Sequence, residues 1–271
     1  MAFTAGNAVQ DSFTQKTNIM AKQMGIFPMQ GNIDNITFFK TKDGFQARKK
    51  GGVSGDRIMN DPEYKRTREH ILEFTRCMKG AALIRKALLK AVNGSSDRRS
   101  INRLMPALLE ITRKDPTNNR GKRVFTHSLL ETVKGFEFNA ASLMEKAVKL
   151  QIQSGIDRAS GVCTIQIPAY EPEKEIALQA DATHYRFRLV AAAIDFEASE
   201  YEMSTEVSDY LLMDTMEETA PLTLTASLTA NHTDPIFLAL TVEFVQETEE
   251  GIKYPLLNGT FNPCRLERVA V

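Results

Sequence analysis

Tyr185-Arg186-Phe187-Arg188-Leu189 alternates large apolar with charged side chains, and Cys163-Thr164-Ile165-Gln166-Ile167 and Leu222-Thr223-Leu224-Thr225-Ala226 repeat that rhythm. A period of two places alternate residues on opposite faces of a strand, so these stretches read as strands with one face buried. Further runs at 193–196, 201–207, 237–245, 252–256 and 266–271 are separated by turn residues such as Glu249-Glu250-Gly251. Together they predict roughly six to eight antiparallel strands. No helical pattern intervenes, which favours a β-sandwich over a parallel sheet.

Upstream the pattern differs. Residues 31–40 are rich in β-branched and aromatic side chains, Asp43-Gly44 supplies a tight turn, and Phe45-Gln46-Ala47-Arg48 returns, so a β-hairpin is expected. Asn60-Asp61-Pro62 is a helix-start signal. Ile71, Phe74, Met78, Ala81, Ile84, Leu88 and Ala91 then form one apolar stripe at three- and four-residue steps, ending at Asn93-Gly94. Ser95 and Ser96 are read as caps of a second helix, with Ile101, Leu104, Leu108 and Ile111 inward and Asp115-Pro116 as its stop. The two helices should pack antiparallel. Residues 117–149 carry mixed signals.

The expected class is therefore α+β: an N-terminal β-hairpin plus an antiparallel helical pair, then a C-terminal antiparallel β-sandwich. The expected divisions are a flexible N-terminal arm at 1–24, a basic hairpin-plus-helices domain at 25–155 and an acidic β-sandwich domain at 156–271. Length and composition allow this: 271 residues, 42% hydrophobic and 25% charged, lie within the globular range. No apolar run is long enough to span a bilayer and no secretory leader is evident, so a cytoplasmic protein is expected.

The net charge of zero hides a polarity. Residues 1–135 hold 25 Lys and Arg against 12 Asp and Glu, whereas residues 136–271 hold 9 against 22. Such separation points to an electrostatic partner.

Recognisable chemistry is absent. The odd, scattered Cys77, Cys163 and Cys264 suit free core thiols, and the four histidines have no metal-ligand spacing. Lys50-Gly51-Gly52-Val53-Ser54-Gly55 lacks the Gly-Lys-Ser/Thr of a phosphate loop, and Ser54 lacks the glycine that a nucleophile elbow needs two positions on. Asp181 with His184 and His232 with Asp234 have no nucleophile tied to them by a motif. No enzyme activity, cofactor or metal is expected.

Residues 31–62 contain Ile36-Thr37-Phe38-Phe39-Lys40, Asp43-Gly44, Lys50-Gly51-Gly52-Val53-Ser54 and Arg57-Ile58 before Asp61-Pro62. Further along stand Gly135-Phe136-Glu137-Phe138-Asn139, Pro235-Ile236-Phe237 and Tyr254-Pro255-Leu256. In these phrases the chain resembles a family of uncharacterised bacterial proteins. The resemblance implies kinship from Met20 onward and implies no activity.

The expectation for function rests on charge. A basic front half seated on the acidic back half of another copy makes a self-assembling structural protein and a homo-oligomer. Lys40, Lys42, Arg48, Lys49, Lys50, Arg57, Lys65, Arg66 and Arg68 are the candidate interaction residues. The alternative is nucleic-acid binding by the same basic, aromatic-bearing surface.

Overall fold

The computed structural model describes residues 20–23, 29–49, 51–179, 181–256 and 261–271. The chain divides into two compact units, Met1–Lys65 and Arg66–Val271.

The first unit is a four-stranded antiparallel sheet followed by a short helix. Strands β1 (Met20–Lys22), β2 (Gly31–Ile33), β3 (Ile36–Thr41) and β4 (Gly44–Lys49) lie in the order β1-β4-β3-β2. The predicted hairpin is β3–β4. The run at 31–40 is not one strand, because Asp34 takes a left-handed φ of 49° and turns the chain back after Ile33. Met20–Lys22, expected within the arm, pairs with Gln46–Arg48 of β4. Ser54 caps helix α1 (Gly55–Asn60) by accepting the Arg57 N–H. Asp61 accepts the Glu63 N–H and opens the 3-10 turn Pro62–Tyr64, from which α2 (Lys65–Ala87) continues.

The second unit has three layers. After α2 come α3 (Leu89–Val92), α4 (Ser100–Arg113), a 3-10 segment His127–Val133 and α5 (Met144–Ala147). Strands β5 (Gln153–Asp157) and β6 (Val162–Ile167) precede α6 (Pro172–Glu175). The remaining strands are β7 (His184–Asp195), β8 (Glu200–Val207), β9 (Leu211–Leu212), β10 (Leu222–Ser227), β11 (Ile236–Glu247), β12 (Lys253–Pro255) and β13 (Cys264–Ala270). A three-stranded sheet, β10-β6-β5, faces a six-stranded sheet built on the pair β7–β11. The runs at 185–189 and 193–196 that read as two strands fall, but for Phe196, in the single long β7.

Strands β7 and β11 are covered on both sides. Tyr185, Phe187, Leu189, Ile236, Leu238 and Leu240 join Cys163, Ile165, Leu224 and Ala226 in a core between the two sheets. Val190, Ala192, Ile194, Phe237 and Ala239 join Ile84, Leu88, Leu104 and Leu108 in a second core beneath the helices. Double burial explains why 190–194 and 236–242 lose the alternation of the flanking residues. The Thr241 hydroxyl donates to the Ala91 carbonyl at 2.9 Å, tying sheet to helices. Cys77 near the middle of α2 meets Thr112 at the end of α4, with 3.4 Å between Sγ and Oγ1. Residue 155, the expected domain boundary, falls inside this unit, where the helices and β11 share a core.

Ser95 and Ser96 do not cap α4. The helix begins at Ser100, and Asp97 organises its entry by accepting the Arg99 N–H at 2.7 Å and pairing with Arg103. The loop after α4 is held by Asp115, whose carboxylate accepts N–H groups of Val124, Thr117 and Asn118 and the Asn118 side chain. These bonds hold its carboxyl well below the usual range. That loop delivers Phe125 against α2, where Gly80 makes room: a Cβ there would come within 2.5 Å of the Phe125 ring. Overpacking of this kind costs about 1–3 kcal/mol. Gly80→Ala should therefore lower unfolding free energy by that amount in a denaturant titration, despite alanine's better helix propensity.

Candidate interaction surface

The strand register of the first unit sorts its side chains. Phe38 opposite Ala47, Lys40 opposite Phe45 and Ile36 opposite Lys49 share one face, which Ile33 extends in β2 and Ala21 in β1. Thr37 opposite Arg48 and Phe39 opposite Gln46 share the other, with Asn32 and Lys22. The first face is apolar with lysines at its margin; the second is polar with one aromatic. None of the described residues of this unit is buried, and Ile33 is 57% exposed. A shallow depression of about 370 Å³ lies on the sheet, lined by Ala21, Asn35, Ile36, Ala47, Arg48 and Lys49.

The nine candidate residues do not make one patch. Lys40 lies over the Phe45 ring at 5.4 Å, on the apolar face, and Lys49 is on that face too. Arg48 lies over Phe39 at 5.5 Å on the opposite face. Lys42 is exposed at the β3–β4 turn. Arg57 is engaged locally, 3.1 Å from Asp61, 3.8 Å from Glu63 and stacked on Tyr64. Lys65 and Arg66 are exposed at the start of α2, Arg68 is half-buried one turn on, and Lys50 lies outside the described residues. Alternation in 36–40 foretold that Phe38 and Phe39 face opposite ways, but nothing in the sequence marked which face would be left uncovered.

In the second unit the two signs of charge are unevenly distributed along the chain. Residues 66–135, which supply α2 to α4, hold 16 Lys and Arg against 6 Asp and Glu. From 189 to 252, which runs from within β7 to the turn after β11, the chain has no Lys or Arg and 14 Asp and Glu. The first turns of α2 leave Ile71, Leu72 and Phe74 exposed, although the apolar stripe predicted Ile71 and Phe74 inward. Of the stripe, Met78 is half-buried and only Ala81, Ile84, Leu88 and Ala91 are buried. Between β8 and β10 the segment 209–219 exposes Tyr210, Leu212 and Met216, the last at 74%.

Two clusters of titratable groups have the look of chemistry. His232 lies in a cleft with Asp195, Glu200, Tyr201, Glu202 and Asp234. The Asp234 N–H donates to its Nδ1, so Nε2 carries the proton and faces Glu202 at 3.5 Å. No Ser, Thr or Cys is among the residues that line this cleft, and Tyr201 brings a phenol hydroxyl to it. Among the described residues, no group of three or more His, Cys, Asp and Glu is placed to hold a metal ion. No helix among them is long and apolar enough to cross a membrane.

Glu137 is the second case. It forms a lone bridge with Arg265 beside β13 and accepts the Met144 N–H at 3.0 Å, while its Oε2 is buried without a hydrogen-bond partner. Burial pushes its carboxyl up to about 7, against the lowering effect of the Met144 N–H and Arg265 and with help from Glu267 and Glu145. Comparison with known proteins yields no match: no family model fits the chain, and neither a curated protein nor a solved structure is similar to it.

A carboxyl that holds its proton more tightly when folded makes stability fall as pH rises from about 4.5 through about 7. Glu137→Gln keeps an acceptor for Met144 and removes the charge. Its melting temperature should match the parent near pH 5 and exceed it by about 2–4 °C at pH 8, the shift expected for roughly 1 kcal/mol in a unit of this size. Parallel pH profiles of the two proteins would refute this account of Glu137.

Proposed function

We propose that this chain is a non-enzymatic structural protein that self-assembles, its basic N-terminal half contacting the acidic C-terminal half of another copy. One observation carries the reading: the four-stranded sheet of the first unit has an apolar face and, among its described residues, none that is buried. A small sheet gains independent stability by covering a hydrophobic face. Ordering each residue costs about 1–2 kcal/mol of backbone entropy. The exposed cation–aromatic contacts of Lys40, Arg48 and Arg57 contribute only about 0.5–1 kcal/mol apiece. Fully covering Ile33, Ile36 or Phe38 is worth about 1.5–3 kcal/mol each, so a partner seated on this face supplies what the sheet lacks.

Charge supports the same arrangement. Lys40 and Lys49 margin the apolar face, and the 189–252 stretch offers acids without a single Lys or Arg among them. Complementary fields of this kind steer association and fix its orientation. Contact between unlike surfaces of identical chains is heterologous and generates rings or filaments.

The opposite face of the sheet favours a second reading. Arg48 stacked on Phe39, with Lys22, Gln46 and Asn32 beside it, is a polar, cationic strip that suits a nucleic-acid backbone.

Sedimentation velocity across concentration and salt tests both. Self-assembly predicts species that grow with concentration and loosen as salt rises. Ile36→Ser with Phe38→Ser should reduce association at least tenfold while leaving the second unit folded. A monomer at every concentration in low salt would sink the assembly reading. Oligonucleotide binding with a steep salt slope would favour the alternative.

A further inference from the structure

The segment 209–219 is a pinned ridge. Its β9 residues Leu211 and Leu212 pair with Tyr185 and His184 of β7. Met213 is 2% exposed and its N–H donates to the Thr183 carbonyl at 3.1 Å. The Thr215 carbonyl accepts the Glu173 N–H, and Thr219 donates to the Tyr170 carbonyl through both its N–H and its hydroxyl. Held at these points, the backbone sets Leu212 and Met216 outward, 55% and 74% exposed. Asp209, Asp214, Glu217 and Glu218 are exposed around them, and none is in an ion pair among the described residues.

We infer that this ridge is the acceptor surface onto which the apolar face of the β1–β4 sheet of a second copy docks, Met216 and Leu212 packing against Ile36, Phe38 and Ala47 while Lys40 and Lys49 meet Asp214, Glu217 and Glu218. The inference rests on the self-assembly reading and gives it an address. Three features favour this occupant. The two surfaces share a make-up of exposed aliphatic side chains beside charge, Lys40 and Lys49 on the sheet and Asp209, Asp214, Glu217 and Glu218 on the ridge, where Arg186 and Lys253 are held against the Tyr210 ring. The depression at Ala21, Ile36 and Ala47 is a hole for an unbranched, adaptable side chain, and methionine is the most adaptable knob available. The exposed turns of α2 also combine apolar and basic groups, but that helix is anchored by its own core from Cys77 onward, whereas the described residues of the sheet have none. Because each copy carries one donor sheet and one acceptor ridge, the contact repeats head to tail.

A charge swap tests the pairing. Lys40→Glu with Lys49→Glu reverses the sheet, and Asp214→Lys, Glu217→Lys and Glu218→Lys reverse the ridge. Each reversal alone should shift the sedimenting species to monomer at low salt, and a chain carrying both should recover oligomers, which misfolding would not allow. Met216→Ser, which leaves every charge in place, should weaken association at least tenfold. If the sheet reversal abolishes assembly and the ridge reversal or Met216→Ser does not, the acceptor lies elsewhere and self-assembly stands without this ridge. If each reversal abolishes assembly and their combination fails to restore it, the two surfaces do not meet and the inference is overturned. A parent chain that is monomeric throughout removes both the inference and the reading beneath it.

Discussion

The second unit depends on one constraint, the double-sided burial of the β7–β11 pair. Ten consecutive residue pairs join these strands, from Ile236 opposite Ala193 to Val245 opposite His184. One set of side chains closes against β6 and β10, and the alternate set closes against the helices. A one-residue slip of β11 against β7 would turn Phe244 out of the inter-sheet core and bring Glu243 in. The charged end of the pair reinforces that register: Arg186 and Arg188 each reach Glu243 at 2.6 Å, and the two guanidiniums hold its carboxyl low despite its burial.

That constraint gives helices and strands one shared core. Helices and strands are not separate bodies here, since Leu88 and Phe237 belong to the same cluster. Their charges meet at the surface as well: Arg76 and Lys79 of α2 line one cleft with Glu197, and Lys86 lies over Tyr201 of β8. The charge division along the chain is therefore blurred where α2 meets the β7–β8 turn.

The sequence carried the α+β class and most of the strands, because half-buried strands such as β6 and β10 advertise themselves by alternation. It understated β7 and β11, whose central residues are apolar on both faces and so lose any period. It missed β1 and β2, which are three residues long and too short to show a rhythm. The stripe on α2 was legible, but not its cover: Ile71 and Phe74 follow the spacing of Ile84 and differ only in what lies against them. The ridge at 209–219 left no periodic signal, because its exposure is set by distant anchors at Tyr170 and Thr183.

The three free cysteines are all fully buried, but not together: Cys77 and Cys264 lie under the helices, and Cys163 lies between the sheets. Each thiol reacts with an alkylating reagent only when its own layer opens. The molecule therefore carries native reporters on both sides of its central sheet. Their labelling rates distinguish a protein whose layers come apart independently from a protein that opens in a single event.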